Sequence, residues 1–271
     1  MPAEGSIAAP IRVLIADDSR VVRRVLTALV RTILPDAGIE EAADGPAAYL
    51  ALGRGPDIAF VDTHMPGLSG PEAVARHRDE GGRSLVVLMA DELADGWDEL
   101  GRAVDAYDYI KKPIEEGEMR AILANLQRMR RPTRVLVVDD SRGFLKLAPR
   151  VLAQSRFALD VEVADSGGFA IAMQRREPRE VIFLDYAMPG IDGLEVACVM
   201  MEQAPGTRIV MISASGNPAV ARAARYFGAA CFLKKPFQPN DVDRALHLAH
   251  KLPLTSLMNG PDPAFGVPMS L

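Results

Sequence analysis

The amino-acid sequence predicts two α/β domains built on one plan, each a parallel sheet covered by helices on both faces. Two observations carry this expectation. Short β-branched runs alternate with longer helical stretches along the whole chain, the pattern of successive βα units. Three motifs also recur in the same order. Asp17-Asp18-Ser19-Arg20, which ends the apolar run from Val13, returns as Asp139-Asp140-Ser141-Arg142 behind the run from Val135, an offset of 122 residues. Asp62-Thr63-His64-Met65-Pro66-Gly67-Leu68-Ser69-Gly70 returns as Asp185-Tyr186-Ala187-Met188-Pro189-Gly190-Ile191-Asp192-Gly193, and Lys111-Lys112-Pro113 as Lys234-Lys235-Pro236, both at an offset of 123. Such self-similarity means a duplicated unit, and 271 residues accommodate two domains large enough to bury a core.

In the first copy, strands are expected over 12–16, 57–61, 85–89 and 107–110, with a weaker one near 38–42. Helices are expected over 20–34, 46–52, 71–79, 97–104 and 115–130, which completes five βα units. The second copy repeats the scheme, with strands over 134–138, 160–163, 181–184, 208–212 and 231–233 and helices near 143–153, 167–175, 194–202, 218–227 and 240–252. The domains are thus assigned to 11–131 and 133–252, joined by no more than Arg131-Pro132-Thr133. Residues 1–10 read as a flexible leader, and 253–271, rich in Pro, Gly, Ser and Met without periodicity, as a disordered tail.

Composition narrows the function. Nearly half the residues are apolar and a quarter charged, as in globular proteins. No apolar run approaches membrane-spanning length, and residues 1–5 lack the regions of a signal peptide, so the chain reads as cytoplasmic, with no membrane partner. Residues 1–131 carry 16 basic and 22 acidic side chains and residues 132–271 carry 15 and 14. Neither half concentrates positive charge, which argues against nucleic acid as a partner. Cys198 and Cys231 show no metal or redox spacing and read as small core residues. No Gly-x-Gly-x-x-Gly follows either first strand, which excludes a dinucleotide-binding turn.

The repeated residues suggest a chemistry. In each copy one strand ends in two acids, a second ends in one more and a third ends in Lys-Pro, and strand ends are where open parallel sheets place ligands. Three carboxylates meeting there repel one another until a cation binds. Too few protein oxygens are present to saturate a large ion, which favours Mg²⁺. Asp185 or Asp62 can then act as a nucleophile on phosphorus, giving an aspartyl phosphate, while Lys235 or Lys112 neutralises the transferring group.

With these motifs in this order, each copy resembles the receiver domain of two-component response regulators. The resemblance implies a flavodoxin-like fold with a five-stranded sheet of order 2-1-3-4-5 in each domain. It also implies Mg²⁺ and a phosphoryl donor that is a histidine kinase or a histidine phosphotransfer protein. The metal ligands carried over are Asp139, Asp140, Asp185 and the backbone carbonyl of Ala187 in the second copy, and Asp17, Asp18, Asp62 and the carbonyl of His64 in the first. Similar receivers hold the phosphoryl oxygen with a Ser or Thr, here Ser213, and reorient an aromatic three residues before the lysine, here Phe232.

The first copy departs from this pattern at one place. The stretch from Asp62 to Pro113 aligns without gaps on Asp185 to Pro236, so Ala90 falls on Ser213. A methyl group offers the phosphate no hydrogen bond, and Asp91 and Glu92 add negative charge beside it. A one-residue slip would put Met89 there with the same consequence. Tyr109, the aromatic of the first copy, is therefore read as an ordinary core residue, and Phe232 as functional.

Other residues receive plainer readings. The His64 side chain is taken as solvated, and His247 and His250 as surface residues. Arg20, Arg23, Arg24 and Arg31 form a solvated face on a helix that meets the kinase in similar receivers. Met119, Ile122, Leu123, Leu126 and Met129 form a core stripe whose end could pack on the second domain. Trp97 is either a domain or dimer anchor or is buried on its own sheet.

The expected protein is a response regulator without DNA-binding output. It is phosphorylated on Asp185 and signals to a downstream protein target, with the first copy as a docking, dimerising or modulatory domain. A phosphate sink or phosphorelay intermediate is the alternative. A Mg²⁺-dependent phosphatase of the haloacid-dehalogenase type fits less well, since it needs a second Asp two residues after the nucleophile, where this chain has His64 and Ala187.

Overall fold

The computed structural model describes residues 9–92, 96–215 and 217–259. They form two compact units: the residues up to Leu126 together with Thr255–Asn259, and Gln127–Leu254.

The first unit runs β1 (Arg12–Ala16), α1 (Arg20–Ile33), β2 (Gly38–Ala42), α2 (Gly45–Leu52), β3 (Ile58–Asp62), α3 (Gly70–Asp79), β4 (Leu85–Ala90), α4 (Trp97–Ala103), β5 (Asp108–Lys111) and α5 (Glu116–Arg130). All its strands are parallel, in the order β2-β1-β3-β4-β5. Every residue of β3 and β4 is buried, which is why these segments read as continuous apolar runs with no polar alternation. Helix starts are written in short polar residues. The Ser19 hydroxyl accepts from the Val22 amide and the Asp44 carboxylate from Ala47 N, and Ser69 with Glu72 forms a capping box, each supplying a partner for an otherwise orphaned donor.

The second unit repeats the arrangement with β6 (Thr133–Val138), α6 (Arg142–Leu152), β7 (Leu159–Ala164), α7 (Gly167–Arg176), β8 (Val181–Asp185), α8 (Gly193–Gln203), β9 (Arg208–Ser213), α9 (Pro218–Tyr226), β10 (Cys231–Lys234) and α10 (Pro239–His250). Its sheet order, β7-β6-β8-β9-β10, is that of the first. In both sheets the order reverses between the first and third strands, and the crevice at that switch point lies at their carboxyl ends.

Several expectations are corrected. The chain beyond Pro253 is ordered through Asn259: a 3-10 turn, Ser256–Met258, packs on α4 and β5 of the first unit. Residues 260–271 and 1–8 lie outside the described residues. His247 is wholly buried and His250 half-buried. The His247 ring meets Phe157 edge-on and the His250 ring stacks on the same Phe157, so the pair forms part of a packed layer. Cys231 is buried as expected, whereas Cys198 is only partly so.

The α5 stripe is buried along its length. Its last turn belongs with the second unit: the Met129 carbonyl accepts from Ala158 N at 2.7 Å, and Arg128 reaches Glu180 at 3.0 Å and the His250 ring. No helix among the described residues is long and apolar enough to cross a membrane.

Candidate phosphoryl and metal sites at the two sheet edges

Each first strand ends in a buried acid whose orientation is set locally. Asp17 and Asp139 are 0% and 1% exposed. Each Oδ1 accepts a backbone amide two residues on, Ser19 N at 2.9 Å and Ser141 N at 2.8 Å. The same serines cap α1 and α6, so one tight turn both points the acid into the site and starts the helix. The third acid ends β3 or β8. In each site the three carboxylates, Asp17, Asp18 and Asp62 or Asp139, Asp140 and Asp185, offer oxygens within 4.8 Å of one another.

The lysines expected there arrive from the loops after β5 and β10. Lys112 Nζ lies 2.9 Å from Asp17 Oδ2 and 3.0 Å from Asp62 Oδ1. Lys235 Nζ lies 2.7 Å from Asp185 Oδ1, bonds Asp139 as well, and stands 4.4 Å over the Phe144 ring. Burial pushes the carboxyls of Asp62 and Asp185 above the usual range. The adjacent lysine pulls each back and the neighbouring acids push it up again. For Lys112 burial works against the charge, but its bonds to Asp17 and Asp62 prevail and raise its pKa.

Each site is therefore a set of hard oxygen donors carrying more negative charge than its lysine offsets. That donor set fits a small divalent cation.

The Met-Pro-Gly-x-x-Gly stretch has a steric explanation. Gly67 and Gly190 sit at φ +80° and +92°, backbone that side chains other than glycine rarely adopt. A Cβ on Gly70 would fall 2.0 Å from the Asp62 carbonyl oxygen, and one on Gly193 would fall 2.3 Å from that of Asp185. Only glycine lets the next helix start so close behind the acid.

The strand register removes the alignment ambiguity. Ala90 pairs with Lys111 and Ser213 with Lys234, and Lys112 N and Lys235 N bond the carbonyls of Ala90 and Ser213 at 2.7 and 2.8 Å. Ala90 and Ser213 are equivalent, and Met89 is not in play. Ser213 is buried, and its hydroxyl accepts from Ser215 N at 3.1 Å. Phe232 is 5% exposed in the core.

Tyr109 is not an ordinary core aromatic. It is half-buried, its hydroxyl donates to Asp98 Oδ1 at 2.6 Å, and its pKa is pushed up to about 12, first by that bond and then by burial.

The remaining candidates fall as follows. The side chain of His64 is exposed, with its Nδ1 3.0 Å from the Thr63 hydroxyl, and Ala187 is exposed two residues after β8. Arg20, Arg24 and Arg31 are solvated, but Arg23 is not: its guanidinium donates to the carbonyls of Asp17 and Asp18 and pairs with Glu41 at 3.2 Å. Sequence reading did not reveal that tether, because Glu41 enters from β2. It also missed that Asp91 stands 3.9 Å from Lys112 Nζ.

Comparison with known proteins agrees with this geometry. Residues 13–124 and 135–247 each match the response regulator receiver domain. The transcriptional regulatory protein ResD of Bacillus subtilis is 33% identical over 136 residues, 50% of this chain and 55% of that protein. The chemotaxis protein CheY of Listeria monocytogenes is 31% identical over 118 residues, 44% of this chain and 98% of that protein. The chain spans about half the length of the regulators, such as ResD, that it matches first. Among solved structures, one described as a two-component system response regulator/GGDEF domain protein covers 89% of this chain and 99% of its own, with a TM-score of 0.60 and 25% identity.

Proposed function

Because the chain belongs to the response regulator receiver family and carries two receiver domains in tandem, we propose that it accepts a phosphoryl group on Asp185 and signals by protein–protein interaction. The donor is a histidine kinase or a histidine phosphotransfer protein, and the signal passes to a downstream protein. The observation that carries this reading is that the ends of β6, β8, β9 and β10 bring Asp139, Asp140, Asp185, Ser213 and Lys235 to one edge.

A carboxylate oxygen of Asp185 attacks phosphorus as the bond to the donor nitrogen breaks. Lys235, already 2.7 Å from Asp185, offsets charge on the incoming oxygens. Asp139, Asp140, Asp185 and the Ala187 carbonyl would hold Mg²⁺, which supplies further neutralisation of the phosphoryl oxygens. The Ser213 hydroxyl, which accepts from Ser215 N, donates its O–H to a phosphoryl oxygen, and Phe232 follows the loop.

The first receiver keeps Asp17, Asp18, Asp62 and Lys112 but has Ala90 in place of the hydroxyl. It serves as a docking, dimerising or modulatory domain. Its intact acid triad favours, as a second reading, a phosphate sink or relay.

Incubation with Mg²⁺ and acetyl phosphate, followed by reductive trapping and mass spectrometry, tests the assignment. Label on Asp185 that is abolished in Asp185→Asn supports it. Label that persists in this variant and is lost in Asp62→Asn contradicts it.

A further inference from the structure

The first unit includes one segment that follows the second receiver in sequence. After α10 the chain returns to the first unit, where Thr255–Asn259 lies across α4 and β5. The Ser256 amide donates to Asp108 Oδ1 at 2.9 Å. Leu257 packs against the same core cluster as Tyr109. Thr255 is 4% exposed and closes the turn, accepting from Met258 N at 3.0 Å.

The face is shaped for this segment. Gly101 is buried although it has no side chain, and a Cβ there would stand 3.0 Å from both Leu257 methyl carbons. Asp108, at the start of β5, is a buried carboxylate whose Oδ1 also takes the Tyr109 amide at 2.9 Å. On the other side, Asp98 pins the Tyr109 hydroxyl.

The duplicated domain provides an internal control. At the offset of 123, Gly101 becomes Ala224, Asp108 becomes Cys231, Asp98 becomes Ala221 and Tyr109 becomes Phe232. The second receiver thus has a methyl where the first has a hollow, a thiol where it has an anionic acceptor, and no polar anchor for its aromatic. On the second unit Tyr226, at the end of α9, is 86% exposed. All four differences coincide with the presence of the segment on one copy.

We propose that Thr255–Asn259 is a built-in ligand of the first receiver, a latch that occupies the α4–β5 face and keeps it closed until the segment is displaced. The first receiver then responds to occupancy of this face, not to a phosphoryl group held by a hydroxyl it lacks. This inference holds whether or not Asp185 is the phosphoacceptor.

Hydrogen exchange on the full chain tests it, with Trp97, the one tryptophan and the residue one turn before Gly101 on α4, as a second reporter. In the wild type, the amides of Ser256 and Met258 should be protected at least tenfold over an unstructured chain, independently of protein concentration. Leu257→Ser, which alters only the segment, and Gly101→Val, which alters only the groove, should each abolish that protection. Each should also shift Trp97 emission and increase binding of the apolar dye ANS, while amides of β8 stay unchanged. Exchange of Ser256 at the unstructured rate in the wild type would overturn the proposal. So would protection that Leu257→Ser leaves intact, or protection that grows with concentration, which would make the segment an intermolecular ligand.

Discussion

Replacing Lys235 by Met keeps the length of the side chain and removes its charge, and the consequence should depend on the metal. The side chains of Asp139, Asp185 and Lys235 are 1%, 7% and 16% exposed, so the lysine neutralises acids that water reaches poorly. Without it, Asp139 retains the Ser141 amide at 2.8 Å and Asp185 loses its cationic partner, Lys235. Breaking a buried pair in this way costs about 3–5 kcal/mol. A divalent cation bound among the three carboxylates restores the missing charge. At a concentration one hundred times its dissociation constant it returns about 2.7 kcal/mol. Urea unfolding of Lys235→Met in EDTA should therefore show the second receiver's transition weakened by about 3 kcal/mol, with most of that loss recovered in Mg²⁺. The first receiver's transition serves as a control and should not move. Equal destabilisation with and without Mg²⁺ would refute the view that the lysine balances a metal-binding acid cluster.

Ser213→Ala should leave Asp185 labelling intact yet cut the conformational response to a phosphoryl analogue tenfold or more. A hydrogen bond to a charged group is worth about 1.5–3 kcal/mol, and partner affinity with and without the analogue measures the change. Asp108, pushed up to about 6, mainly by burial and against the bonds from Ser256 and Tyr109, titrates higher folded than unfolded. Its contribution, at most about 3 kcal/mol at 1.36 kcal/mol per pH unit, is complete below about pH 4 and lost as pH rises through 6. Chemical unfolding of the first receiver across that window should show the slope, and Asp108→Asn should flatten it. His250 has the opposite sign. Burial first, then Arg128, His247 and Arg208, lower its pKa to about 4, so the second receiver should be fully stable above about pH 6.5 and weaken as pH falls through 4. His250→Gln should remove that acid sensitivity.

Much of this molecule is legible in its residues because the informative contacts are local or repeated. The Asp-Asp-Ser turn carries its own orienting hydrogen bond and helix cap within three residues, so Asp139 and Ser141 announce both the site and the start of α6. The duplication aligns Ala90 with Ser213, and strand pairing excludes the one-residue slip to Met89. Strand ends were less legible. β4 and β9 each run one residue beyond the expected strand, to Ala90 and Ser213, where they pair with Lys111 and Lys234.

What was missed depends on partners far apart in sequence. His250 reads as a surface residue on its own helix, and Phe157 and Arg128, from distant stretches of the chain, pack against it. The segment after Pro253 has no periodicity, since one leucine and one backbone amide hold it against Gly101 and Asp108. The span between Ser256 and Asp108 is 148 residues. Tyr109 reads as an ordinary core aromatic because its anchor, Asp98, lies on a different element, α4.

If the Ser213 hydroxyl, absent at Ala90, is what couples a phosphoryl group to the fold, only the second of two sites with the same acids and lysine is a phosphorylation switch. Titration of the full chain with beryllofluoride and Mg²⁺, followed by amide NMR, reads both copies at once. Saturating shifts are predicted for Ile212, Ser213, Ala214 and Phe232, while Met89, Ala90, Asp91 and Tyr109 show at most the effect of Mg²⁺ alone. Beryllofluoride-dependent shifts at Ala90 and Tyr109 equal to those at Ser213 and Phe232 would contradict the account.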